Sequence, residues 1–424
     1  MPGHKGRTIL GPETLDITEI DGADSLYEAD GIIRESEENA SALFGMKTLY
    51  STEGSSLCIR AMLYLACLHA GSRGKRPMIA AGRNAHKTFL SAAALMDFEV
   101  MWLCPRRQDS YLACRIQADE LDEMLRSAPE KPDAVYLTSP DYLGNVLDIR
   151  AIAEVCHRQD VLLIVDNAHG AYLKFLPDSL HPVDLGADAC CDSAHKTLPV
   201  LTGGAYLHIA DDAPQLFREQ AKNALALFAS TSPSYLILQS LDSVNAYLTD
   251  GYREKLADFV KQTETCKANI SAMGYTLTEQ ESLKITIDAK AYGYSGKELE
   301  AELRKRGIVS EFADPDFLVL MLTPDIGVES LNLLQDALGS IPKRTPLSTQ
   351  TPAFHMPQKA MTIRQAVMSP STKIPAQESL GRVLAIANVG CPPAVPIVVS
   401  GEKVDQAALE CFRYYGIREC WVVK

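Results

Sequence analysis

Between Met78 and His208, short unbroken apolar runs alternate with stretches whose apolar residues recur at helical spacing. The runs Met78–Ala81, Val100–Leu103, Ala134–Thr138, Val161–Val165, Ala187–Cys191 and Gly204–His208 predict strands. Thr88–Met96, Ala118–Ala128 and Ile149–Arg158 predict helices between them. A strand that is apolar throughout has both faces covered, so the alternation predicts a parallel or mostly parallel sheet with helices on either side. Such sheets bind ligands beyond the carboxyl ends of their strands, which directs attention to the polar residues just past each run. Upstream, Ser55–Ala70 reads as a helix apolar nearly all round, hence buried, and stopped by Gly71. Asp30–Phe44 reads as another helix, with Asp30 as its cap.

Past residue 210 the rhythm changes. Residues 213–270 read as largely helical, including one long segment from Tyr235 into the 260s. A small α+β unit follows: the strand ESLKITIDA, the helix SGKELEAELRKRG, the strand DFLVLMLT and the helix VESLNLLQDALGSI. The Pro/Thr-rich residues 343–359 read as a linker. The last unit holds an apolar, proline-rich turn, GCPPAVPIVVSG, then a helix and a final strand. The organisation expected is an N-terminal arm with a helical segment (1–50), a large domain (51–270), a small α+β domain (271–345) and a C-terminal α+β domain (346–424).

Composition narrows the function classes. With 46% hydrophobic residues in 424, the chain can bury the cores of two or three domains. A net charge of -13 argues against nucleic acid or an anionic membrane as partner. It suits a cationic small-molecule substrate, although acidity also serves solubility alone. The eleven cysteines form no C-x-x-C pair, and Cys58, Cys67, Cys156, Cys190 and Cys191 lie in apolar runs. They read as small buried hydrophobes in a reducing compartment, with neither a disulfide framework nor a metal site. MPGHKGRTIL lacks the apolar core of a signal peptide, and no apolar stretch approaches the ~20 residues that cross a membrane. A cytoplasmic location is expected.

Candidate chemistry gathers at five places, each with a plain reading beside the functional one. Lys196, in DSAHKT, follows the run ADACC at a strand end or turn. A desolvated lysine there can form an imine with an aldehyde cofactor; taken alone it reads as a loop lysine. Asp166 closes VLLIVD, where a carboxylate can keep a pyridine nitrogen protonated or simply cap a loop. His169, three residues on, can contact the same ring or be structural. Gly54, Ser55 and Ser56 open the buried helix, where N–H groups and hydroxyls make a phosphate site, though N-capping uses the same residues. His86, in GRNAHKT, can stack on a ring or serve as a loop histidine; Lys87 beside it is a rival imine lysine with no strand immediately before it. Ser230, Thr231 and Ser232 can bond a phosphate or cap the following helix. Together these supply the parts that pyridoxal 5'-phosphate (PLP) requires: imine lysine, ring-nitrogen acid, stacking ring and phosphate cradle.

At these residues the chain resembles the bacterial ornithine/lysine/arginine decarboxylases of PLP fold type I. PGHKG at 2–6, EGSS at 53–56, RNAHK at 83–87, TSPDYLG at 138–144, VDNAHGAY at 165–172, SAHKTLP at 193–199 and STSP at 230–233 resemble family motifs in family order. ESLGR at 378–382 and PPAVP at 392–396 resemble the family's C-terminal domain. The likeness covers almost the whole chain, and SAHKTLP is its most specific element. It implies an α/β fold: an aspartate-aminotransferase-like large domain with a mostly parallel sheet, a small α+β domain and a C-terminal decarboxylase-type domain. The chain reads as a short form without the N-terminal wing domain.

The resemblance also implies roles. Lys196 would carry PLP as a Schiff base, Asp166 would pair with the pyridine nitrogen, and His86 would stack over the ring. Ser55, Ser56, Ser193 and His195 would hold the phosphate, with Ser230 supplied by the second subunit of a homodimer. His169 falls close to the ring, and Lys196 or His195 would return a proton to Cα. The activity implied is decarboxylation of lysine, ornithine or arginine to the amine and CO2, as in polyamine biosynthesis. Glu378 is a candidate for the substrate's distal cation, or a solvated helix-start glutamate. Three positions depart from the pattern: Asn167 where an acid is frequent, Tyr172 where a histidine is common, and Ala394 in place of a glycine. They leave the cofactor residues intact and bear on the substrate end. An aminotransferase or lyase, and a degenerate binding or assembly homologue, remain alternatives. No arginine sits in a recognisable carboxylate-clamp motif, which counts against the aminotransferase.

Overall fold

The structure is a computed structural model. It describes residues 2–107, 110–278, 281–386, 390–391 and 395–424, so the turn residues 392–394, Ala394 among them, lie outside the described residues. In chain order the helices and strands begin with α1 (Ile32–Phe44), β1 (Lys47–Ser51), α2 (Gly54–Ser72), β2 (Met78–Gly82), α3 (Lys87–Met96), β3 (Glu99–Leu103), α4 (Ala118–Ser127) and β4 (Ala134–Thr138). Next come α5 (Ile149–Arg158), β5 (Leu162–Asp166), β6 (Ala189–Asp192), α6 (Ala194–Thr197), β7 (Ala205–Ile209), α7 (Gln215–Ala226), α8 (Tyr235–Thr249) and α9 (Tyr252–Ala272). The chain continues with β8 (Thr276–Leu277), β9 (Lys284–Asp288), α10 (Gly296–Arg304), β10 (Phe312–Ala313), β11 (Phe317–Met321) and α11 (Gly327–Gly339). It ends with α12 (Ile363–Val367), β12 (Ser371–Pro375), β13 (Leu384–Ile386), β14 (Gly390–Cys391), β15 (Val395–Pro396), α13 (Gln406–Tyr414) and β16 (Glu419–Val423).

The chain forms two compact units. The first comprises Met1–Ala81, Gln117–Ser139 and Asp148–Glu254. Its strands lie in the order β1-β7-β6-β5-β4-β2. β2, β4, β5 and β6 are parallel, and β7 runs antiparallel to both β6 and β1, so the sheet is mostly parallel as the apolar runs predict. α2 buries Leu57, Ile59, Met62, Leu63 and Leu65 and packs on β6 and β7, which accounts for its apolar faces.

Four local expectations change. Gly71 does not stop α2, which runs on to Ser72 with Arg73 at its cap. Asp30 does not cap α1: the cap position is Gly31, and the Asp24 carboxylate accepts from the N–H groups of Asp30, Gly31 and Ile33 at 2.9–3.0 Å. The long helix from Tyr235 is two helices, interrupted at Gly251, whose φ of 70° an L side chain rarely adopts. The strand expected at Ala187–Cys191 instead spans Ala189–Asp192, taking an aspartate into the sheet.

The second unit comprises Gly82–Ile116, Pro140–Leu147 and Lys255–Lys424. It contains an antiparallel sheet in the order β10-β11-β9-β8, a three-stranded sheet β12-β16-β13 and the pair β14-β15. Tyr111, Val319, Leu384, Ile397, Phe412 and Val422 belong to its core. Among the described residues of the chain, no helix is long and apolar enough to cross a membrane.

Arg83, in the RNAHK motif, is buried in this unit, its guanidinium 4.9 Å from the Trp102 ring centroid and Nη2 2.7 Å from Glu402 Oε2. A guanidinium without its carboxylate is costly at such a site. Glu402→Ala is therefore expected to destabilise the protein by about 3–5 kcal/mol, read as a large fall in Tm by circular dichroism; an unchanged Tm would show that the pair contributes nothing.

Candidate functional site

β5 and β6 deliver polar groups at their carboxyl ends, inside an otherwise apolar sheet. β5 is buried throughout and ends in Asp166, 3% exposed. Register places Asp166 beside Thr138 of β4 and Cys191 of β6. The Tyr136 hydroxyl donates to Asp166 Oδ2 at 2.9 Å, Ala168 N–H donates to Oδ1 at 3.2 Å, and Cys191 Sγ lies 3.7 Å from Oδ1. Burial, reinforced by the Asp166 charge, pushes the Tyr136 hydroxyl and the Cys191 thiol well above their ordinary ranges, so both keep their protons toward the carboxylate.

After Asp166 the chain turns. Asn167 N–H donates to Cys191 C=O at 3.0 Å, and Gly170 N–H donates to Asn167 C=O at 2.8 Å. The turn carries His169, buried, to within 2.9 Å of Lys196 Nζ through its Nε2. At that distance one of the two nitrogens donates a hydrogen bond to the other. Lys196 itself lies in α6, a single helical turn directly after β6, and is half-buried.

Its neighbour His195 has Nδ1 3.0 Å from Gly204 C=O. A carbonyl only accepts, so Nδ1 carries the proton. Nε2 is then an acceptor in the neutral ring and a donor only when the ring is protonated.

The Ser193 hydroxyl donates to Ser55 Oγ at 2.8 Å. Ser55 and Ser56 lie in the first turn of α2, which no side chain caps, so the capping reading of these serines does not hold. The bend ahead of the helix depends on Gly54, φ 71°, whose N–H donates to Gly203 C=O at 2.7 Å. A Cβ on Gly203 would stand 2.8 Å from Thr52 C=O, closer than carbon contacts allow. Two coupled hydroxyls thus meet the positive end of a 19-residue helix, an arrangement suited to a phosphate.

The structure brings together Lys196 with His169 and Ser193 with Ser55, and it seats Asp166 on Tyr136. Of the remaining candidates, Ser230 and His86 have contacts of their own. Ser230 is exposed; its N–H donates to Glu53 Oε1 at 2.7 Å, and α8 is capped by Ser234. His86 belongs to the second unit, where its ring caps α3 by accepting from Thr88 N–H at 3.3 Å; Lys87 is exposed on the first turn of that helix. Glu378 is exposed on a short turn, also in the second unit. Tyr136 and Cys191 were not among the candidates, because inside apolar runs they look like core residues; only their alternation onto the face of Asp166 signals them.

A family model described as the major domain of Orn/Lys/Arg decarboxylases matches residues 7–289. An uncharacterized protein of Bacillus subtilis, YaaO, is 29% identical, the match covering 97% of this chain and 89% of that protein. An arginine decarboxylase of Bacillus subtilis is 27% identical, with 96% and 88% covered. The constitutive lysine decarboxylase of E. coli shares the fold, with a TM-score of 0.78 at 17% identity over 100% of this chain and 79% of that one.

Tyr136→Phe removes the hydroxyl donor from a buried carboxylate oxygen, a bond worth roughly 1.5–3 kcal/mol. The variant is expected to have a lower Tm and to lose PLP faster on dialysis, followed by absorbance. Wild-type behaviour in both would show the contact to be dispensable.

Proposed function

The chain belongs to the Orn/Lys/Arg decarboxylase family and is a PLP-dependent basic amino-acid decarboxylase of PLP fold type I; from that premise we propose that Lys196 holds the cofactor and that arginine is the substrate. The observation carrying the first assignment is the 2.9 Å contact between Lys196 Nζ and His169 Nε2, just past the end of β6. An amine must shed its proton before it attacks an aldehyde, and His169 is the adjacent acceptor.

The residues fit the cofactor: an amine with a proton acceptor, a buried carboxylate with its own donors, and a hydroxyl pair at an uncapped helix start. When bound, PLP supplies an aldehyde for the lysine and a pyridinium ring that draws off the electrons left behind as CO2 departs. Asp166 is assigned to keep a proton on the ring nitrogen. Ser55, Ser56 and Ser193 are assigned to the phosphate, with Gly54 shaping the bend and His195 adding a donor when protonated. His86 is assigned to the ring face. The proton that Cα needs after CO2 leaves is returned by Lys196, recharged through His169, or by His195. Ser230, exposed, is assigned to the phosphate of a neighbouring subunit in a homodimer.

Arginine is preferred over lysine and ornithine because the Bacillus subtilis relative named an arginine decarboxylase aligns over nearly the whole chain, whereas the likeness to the lysine decarboxylase is one of fold. The net charge of -13 agrees with a cationic substrate.

Protein loaded with PLP is expected to release CO2 and the matching amine from arginine, with kcat/KM at least about tenfold above that for lysine or ornithine. Lys196→Ala is expected to abolish turnover and the absorbance of lysine-bound cofactor. A preference for lysine or ornithine would overturn the substrate, a keto acid in place of CO2 would overturn the proposed reaction, and retained absorbance in Lys196→Ala would overturn the lysine assignment.

A further inference from the structure

Position 167 departs from the family pattern, and its surroundings give the reason. Asn167 is fully buried, and its Nδ2 donates to Asp192 Oδ1 at 2.6 Å. Asp192, the last residue of β6, is also fully buried. Its other oxygen lies 3.3 Å from His181 Nε2 and 3.2 Å from His208 Nε2, and both rings are fully buried. A carboxylate only accepts, so both rings present N–H to it. Burial opposes the charge on Asp192, but His208 and His181 outweigh it and hold the carboxyl well below the usual range. Burial in turn lowers His208, against the opposing pull of the Asp192 charge.

This anchor reaches the site through one turn. Asn167 directly follows Asp166, and its backbone bonds close the turn that presents His169 to Lys196. Gly170 leaves room for it: a Cβ there would lie 2.0 Å from Asn167 Oδ1. His181, Cys190 and Asp192 also bring possible metal-ligand atoms within 4.8 Å of one another. Both Asp192 oxygens already accept N–H donors, however, so its charge is satisfied without an ion.

We propose that Asp192 is a positioning residue: through Asn167, its buried carboxylate holds the Asp166–Gly170 turn and thereby sets Asp166 and His169 toward the cofactor. The amide and the acid form a matched pair. An acid at 167 would meet Asp192 carboxylate to carboxylate, so the negative charge sits at 192 and the donor at 167. The exchange of the two restores the bond between them, although the new carboxylate would keep one oxygen where Asn167 Oδ1 has no hydrogen-bond partner. In Asn167→Asp/Asp192→Asn the amide oxygen would take both histidine N–H groups, and the amide nitrogen would donate to the new carboxylate.

The inference rests on the roles proposed above for Asp166 and His169, and two readouts separate them. The Tm of the apoprotein reports the anchor itself. PLP affinity and the pH dependence of the bound-cofactor absorbance report its effect on the site. Asn167→Asp is expected to lower the apo Tm and weaken PLP binding about tenfold or more. Asp192→Asn is expected to shift the pH at which the bound-cofactor absorbance changes. The double exchange is expected to recover part of the apo Tm and of the PLP affinity lost in the worse single variant. A double variant no better than the worse single overturns the pair. Single variants with a lower Tm but unchanged affinity and pH profile leave Asp192 structural and overturn the positioning role. Stoichiometric zinc whose removal reproduces Asp192→Asn would replace the proposal with a metal site. A wild-type protein that binds no PLP would overturn the functional reading and this inference with it, while recovery of the apo Tm would still stand as a result about the anchor.

Discussion

Two neighbouring parallel strands, β5 and β6, each end in a buried aspartate, and the polar architecture around them follows from that fact. An ionised carboxylate in a sheet interior costs several kcal/mol unless donors converge on it. The pleat separates the two charges. Asp166 pairs in register with Cys191, so Asp192, one residue further along β6, points to the opposite face. Asp166 receives Tyr136 and the turn amide of Ala168, while Asp192 receives Asn167, His181 and His208. Asn167 is the hinge of this arrangement, because it follows one aspartate in the chain and bonds the other in space.

Much of this was legible in the sequence because it obeys local rules. The apolar runs located the strands of the sheet, and their ends located Asp166 and Lys196. The glycine and serines of EGSS marked the start of a buried helix, and the structure adds that no side chain caps it. What stayed hidden depends on residues distant along the chain. Tyr136, Cys190 and Cys191 have the apolar character of a core. His181 lies in a loop and His208 within a strand, and nothing in the spacing of either announces that both meet Asp192. The end of β6 was set one residue early because an aspartate normally terminates an apolar strand; here its three donors allow it inside. The cap of α1 was missed for a similar reason, since Asp24 reaches the helix start from a preceding turn while Asp30 beside it does not. Arg83 is a related case: it stands in a family motif, yet its contacts with Glu402 and Trp102 are structural.

The elements that present Lys196, His195 and His169 are short and tied to the sheet. α6 is a single turn whose His195 N–H donates to Gly204 C=O at 3.2 Å and whose Lys196 N–H bonds back to Ser193 C=O at 3.0 Å. The turn after β5 is fixed by two backbone bonds and by the Asn167 anchor. Groups held this way lose little freedom when a ligand arrives, which is the physical basis of a preorganised site. The amide at position 167 thus needs no charge of its own, because the charge is carried by Asp192 on the adjacent strand.

Whether Lys196 is the residue that bonds the cofactor is decided by borohydride reduction. Reduction of the PLP-loaded protein fixes the lysine–cofactor bond, and peptide mapping by mass spectrometry then locates it. A single phosphopyridoxyl group is expected on the peptide containing Lys196. A label on Lys87, or no label on a protein that has taken up PLP, would contradict it.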